Sequence, residues 1–153
     1  MTASAASKNS RALRICLAID GSAAANRAAA RAVQLAKALA STPRLDVVSV
    51  DQRLMSAVAR RLGPEAVAEY HAENHRYNTR AAVARLRRAG LASKVHCYVD
   101  AEPAAALQRH LENHPADLLV AGSHGRSALA AAVLGSVVTK LLSRTRVPIL
   151  VVR

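Results

Sequence analysis

Five short apolar runs recur along this chain, each but the last followed by a segment of helical period, and this alternation restricts its fold more than any other feature. The runs cover 13–19, 45–51, 93–99, 117–121 and 147–152. Between them, 23–39 sets alanines, Val33, Leu35 and Leu39 at helical spacings, and 53–89 is helical with a break at Gly63-Pro64, so its longer piece runs over 64–88. Pro103 opens a helix over 103–113, and 135–144 puts Val137, Val138, Leu141 and Leu142 on one face. Strands separated by helices pair in parallel, because neighbours running the same way need a crossover connection. The expected fold class is α/β: an open five-stranded parallel sheet, Rossmann-like, with helices on both faces.

The core of such a sheet must be built from Ala, Leu and Val, since hydrophobic residues are 52% of the chain but aromatics only 2%. Residues 1–12 have an Ala/Ser composition without apolar periodicity and read as a flexible tail, leaving 13–153 as one domain. Ser22 is the natural cap of the first helix, and Gly90 a helix stop. No apolar run reaches the roughly 20 residues of a spanning helix, and the first ten residues are polar, so the expectation is a cytoplasmic protein without membrane contact. Cys16 and Cys97 both fall in strand-like runs and are expected as buried, reduced thiols.

The formal net charge of +12 invites a nucleic-acid reading, because clustered Lys and Arg release counterions from phosphate. Its arginines, however, spread over several helical stretches with no aromatics interleaved as stacking platforms. No specific nucleic-acid site is expected, although an anionic ligand benefits from the field.

Chemistry concentrates after the fourth run. Gly122-Ser123-His124-Gly125-Arg126 and, nine residues beyond Gly125, Gly135-Ser136 spell G-x2-G-x9-G-S between a strand and a helix. Glycines let main-chain N–H groups approach a phosphate closely, and a helix N-terminus favours negative charge. Ser136 adds a hydroxyl donor or caps the helix.

These residues resemble the universal stress protein family, whose nucleotide-binding members carry G-x2-G-x9-G-[ST] at this point. The likeness extends through Leu119-Val120-Ala121 before the motif and Val147-Pro148-Ile149-Leu150-Val151-Val152 after it, and to Leu17-Ala18-Ile19-Asp20-Gly21-Ser22 at the first strand; it is weak between 53 and 89. The resemblance implies a binder of ATP or a related adenine nucleotide, with Asp20 facing the adenosine, Val50 touching adenine and Gly122 against the ribose. It gives the phosphates to Gly125, Gly135, Ser136 and Val137. His124 and Arg126 lie beside them, Arg126 as a possible charge-assisted donor. Any Mg²⁺ would ride on phosphates and water. The resemblance also implies a homodimer through the C-terminal strand, where Pro148 suits a sheet edge. Two departures stand out: Ala128 where the family often has Gly, and Asp100-Ala101-Glu102 without the glycine commonly found in that turn.

Other readings are weaker. His71 and His75, and His110 and His114, are spaced i,i+4 as metal ligands would be, but neither pair finds a third ligand by spacing, and both are expected on solvated faces. No P-loop, Ser-His-Asp set or paired carboxylates can be assembled. Binding is therefore favoured over turnover, with a slow ATPase and a family member that acts through protein contacts alone as alternatives.

Overall fold

The structure, a computed structural model, describes residues 11–124 and 134–153. Its elements follow in the order β1 (Arg14–Ala18), α1 (Ala23–Ala38), β2 (Arg44–Gln52), α2 (Ser56–Leu62), α3 (Pro64–Arg88), β3 (Ser93–Asp100), α4 (Pro103–Asn113), β4 (Leu118–Gly122), α5 (Ser136–Arg144) and β5 (Ile149–Val152). The strands form one sheet in the order β3-β2-β1-β4-β5, every neighbouring pair parallel. The α/β class and the five-stranded parallel sheet are as the alternation implied.

Helices cover both faces because the strands are apolar on both. Ile15, Leu17, Leu45, Val47 and Val120 meet α1 and α3, where Ala25, Ala28, Ala29, Ala32, Ala82 and Leu86 are buried. Alanines of α1 are almost fully buried against the sheet, Ala28, Ala29 and Ala32 at 0% exposure, so small side chains rather than aromatics fill this layer. On the other face Cys16, Val48 and Leu119 meet Ala104, Leu107 and Leu111 of α4 and Leu141 of α5. The caps follow local chemistry: Ser22 Oγ accepts the Ala25 N–H of α1 at 3.1 Å, and Pro64 and Pro103 open α3 and α4.

Two expectations fail on burial. Cys97 is exposed, because β3 is an edge strand; only Cys16 is buried, where burial and then the Asp46 carboxylate push its thiol up to about 12. His71, His75 and His110 are buried rather than solvated, each turned toward polar groups that the sheet presents to its helix. The arginines are less scattered than the sequence suggests: Arg76, Arg80, Arg87 and Arg88 line one open groove of about 770 Å³ with Val83 and Val95, since these spacings share one side of α3. Among the described residues no helix is long and apolar enough to cross a membrane.

Candidate functional site

The chain steps outward from β1 to β2 and β3, then returns to lay β4 on the opposite side of β1. Strand order therefore reverses between β1 and β4, and the crevice beyond their carboxyl ends is where open α/β sheets bind ligands. Two turns wall it: Asp20-Gly21-Ser22 leaving β1, and Gly122-Ser123-His124 leaving β4.

Each turn is held by its own side chains. Asp20 Oδ1 accepts the Ser22 N–H at 3.0 Å, and Ser22 Oγ donates to the His124 carbonyl at 3.4 Å, joining the two turns. Gly21 has φ +81°, and a Cβ on it would lie 2.9 Å from Asn78 Oδ1 of α3, so both backbone conformation and space require glycine. Ser123 is buried, gives its N–H to the Val152 carbonyl at 2.7 Å, and its Oγ lies 2.8 Å from His124 Nδ1. The Nε2 of His124 is buried and has no hydrogen-bond partner among the described residues.

The segment returning from the glycine-rich loop is tied to the same place. Gly135 donates its N–H to the Ser123 carbonyl at 2.7 Å, so this N–H does not point at a ligand. Gly135 is the residue before α5, with φ −59° and ψ 147°, a conformation open to any residue, and no side chain caps the helix. Ser136 is thus the first helical residue rather than the cap. The N–H groups of its first turn, at Ser136 and Val137, are those a helix leaves without intrahelical acceptors. Of the residues singled out by the sequence, Asp20, Gly122, His124, Gly135, Ser136 and Val137 gather around this crevice. Val50 lies near the end of β2 on the α4 side of the sheet, half-buried. Gly125, Arg126 and Ala128 lie outside the described residues.

A second polar group escaped the sequence reading. Ser49 and Asp51 alternate with Val50 and so point toward α3. There His71 Nδ1 lies 2.6 Å from Asp51 Oδ2, Asn74 donates to the same oxygen at 2.8 Å, and His75 Nδ1 lies 3.0 Å from Ser49 Oγ. Burial of Asp51 disfavours its charge, but hydrogen bonds from Asn74 and His71 and the His71 and His75 charges outweigh this, and its pKa falls below the usual carboxylate value. Burial lowers the pKa of His75. The only sequence signal was polar residues alternating inside an apolar strand beside an i,i+4 histidine pair.

The model of the universal stress protein family matches residues 12–153. Among solved structures, the chain is similar to a universal stress protein family protein from Burkholderia pseudomallei, at 29% identity and TM-score 0.67 over 91% of this chain and 94% of that one. A universal stress protein in complex with cAMP is 27% identical, with TM-score 0.67 over 94% and 99% of the two chains. The hypothetical protein MJ0577 superposes with TM-score 0.77 at 19% identity, over 92% and 94%. Comparison with curated proteins yields no match. With the family's model covering the whole α/β sheet and its helices, this chain belongs to the universal stress protein family.

Proposed function

We propose that this chain binds an adenine nucleotide, ATP with Mg²⁺ carried on its phosphates, in the crevice between β1 and β4. On binding it changes state or partner as a cytoplasmic stress-response or signalling module. The observation that carries the reading is the convergence of Gly122, the Ser22–His124 link and the open N-terminus of α5 on the point where strand order reverses. The similar universal stress protein described with cAMP supports an adenine ligand.

In this reading Asp20 and Val50 face the adenosine and Gly122 the ribose. Because the Gly135 N–H is taken by Ser123, the phosphates meet the Ser136 and Val137 N–H groups and the Ser136 hydroxyl, with Gly135 allowing close approach. His124 brings a buried Nε2 without a partner among the described residues, and Gly125 and Arg126 belong to the same loop. The hydroxyls and the carboxylate of the two turns are spent on holding them, Asp20 on the Ser22 N–H, Ser22 Oγ on the His124 carbonyl and Ser123 Oγ on His124 Nδ1, which favours binding over hydrolysis. Pairing of two copies through β5 completes the proposal, since β5 is an edge strand of this sheet.

Titration calorimetry of the folded chain with ATP, ADP, AMP and cyclic AMP, beside native mass spectrometry of the gently purified protein, tests the reading. One adenine nucleotide per chain is expected. A folded protein that binds none of the four refutes it.

A further inference from the structure

The geometry points to a site for a divalent late first-row transition-metal ion, held by His96, His110 and His114 between β3 and α4. Two strands, β2 and β1, separate β3 from β4 and the crevice at its end, so this site is distinct from the nucleotide reading and does not rest on it.

His110 and His114 stand one turn apart at the end of α4, and His96 reaches them from the middle of β3. One ring nitrogen from each of the three lies within 4.8 Å of the others. The rings are packed together, His96 4.7 Å from His110 and 4.9 Å from His114 between centroids, with His110 and His114 stacked at 4.5 Å.

Two features distinguish this cluster from a chance gathering. His110 is only 2% exposed, and its Nδ1 lies 2.9 Å from the Tyr98 hydroxyl. The other nitrogen, Nε2, is buried with no hydrogen-bond partner among the described residues. Buried polar atoms without partners are rare and unfavourable in native proteins, and a metal ion at the cluster satisfies this one. His96 in turn has Nε2 3.0 Å from Asp46 Oδ1, the carboxylate–imidazole pairing that orients metal-binding histidines and raises their basicity.

The ligand chemistry selects the ion. Three imidazoles suit Zn²⁺, Cu²⁺, Ni²⁺ or Co²⁺, whereas Mg²⁺ and Ca²⁺ take oxygen. Zn–N bonds of roughly 2.0–2.1 Å in a tetrahedron put nitrogens about 3.3 Å apart, so the nitrogens close by up to about 1.5 Å on binding. His114 is exposed, and its Nδ1 is held only by a long 3.3 Å contact to the His110 carbonyl, so its ring can make that movement with Nε2 as the ligand atom. Three protein ligands leave the fourth position open to water.

The test uses the full chain, free of any tag, nucleotide and metal, titrated with Zn²⁺ by calorimetry and with Co²⁺ by visible absorption. One Zn²⁺ per chain is expected, and Co²⁺ bands of four-coordinate intensity. His114→Ala, on the surface, keeps the fold and removes both signals. Asp46→Asn weakens Zn²⁺ by roughly 10–100-fold, as loss of an outer hydrogen-bonding partner does. Cys97→Ser leaves binding unchanged, because that exposed thiol alternates with His96 and so lies on the opposite face of β3. Absence of Zn²⁺ binding at micromolar concentration, unchanged affinity in His114→Ala, or loss of binding in Cys97→Ser overturns the proposal.

Discussion

Gly122 at the end of β4 lies so close to Ala24 in the first turn of α1 that a Cβ on it would fall 2.7 Å from the Ala24 carbonyl carbon and 2.8 Å from the Ala25 nitrogen. Carbon atoms do not approach so closely without backbone movement. Gly122→Ala therefore separates α1 from β4, and such overpacking costs about 1–3 kcal/mol. Each kcal/mol lowers the melting temperature of a domain this size by about 2–4 °C. An unchanged melting temperature would show that the contact yields freely.

At the entrance to α5 the two candidate phosphate residues respond differently. Gly135→Val keeps its φ of −59°, which valine adopts without strain, so the melting temperature stays close to wild type while the added bulk abolishes ATP binding. Ser136→Ala removes one hydrogen bond to a charged group, about 1.5–3 kcal/mol or roughly one to two decades of affinity. Calorimetry with ATP reads both. Unchanged affinity in a folded Gly135→Val protein removes the nucleotide from this loop.

Acid weakens the α3 face of the sheet in two stages. His75 has its pKa lowered from 6.5, chiefly by burial, so the unfolded chain takes up this proton first and stability is lost as pH falls from about 6.5 toward the folded value. Asp51 has its pKa lowered from 3.8, so its contribution is complete above that pH and is lost below it. Urea midpoints measured between pH 7.5 and pH 3 check this, expressed as the difference between wild type and each variant. The difference for His75→Gln is expected to change through the upper window and that for Asp51→Asn through the lower one; pH-independent differences contradict the assignment.

At the opposite edge, β5 is a strand of four apolar residues, Ile149–Val152, paired with β4 on one side and with no strand on the other among the described residues. Leu150 and Val152 pack toward the α1 core and Ile149 toward that of α5, which leaves Val151 outside both among the described residues. Sedimentation of the wild-type chain at micromolar concentration is expected to give a dimer, and Val151→Arg a folded monomer. A monomeric wild type sinks the proposed pairing.

Much of this protein was legible in one dimension. Helix α4 begins at Pro103 and ends at Asn113 as its pattern implies, Ser22 caps α1, and the Gly63-Pro64 break divides α2 from α3. These features are set by neighbours within a few residues, through backbone preference, capping and periodicity. Burial and partnership follow a different logic, because they depend on strand order and helix docking. Nothing along the chain says that β3 is an edge, so an apolar run implies a buried Cys97 that the sheet leaves exposed; nothing says that Ser49 and Asp51 face α3, so helical spacing implies solvated His71 and His75 that the sheet buries. Nor does the glycine motif show that the Gly135 N–H is taken by the Ser123 carbonyl, twelve residues earlier in the chain. The i,i+4 spacing of His110 and His114 was visible from the start, but their third neighbour, His96, comes from a strand that docks beside them only when β3 pairs with β2 and α4 folds back over both. Local sequence sets where elements begin and end, while contacts between residues distant along the chain arise only from how the elements pack.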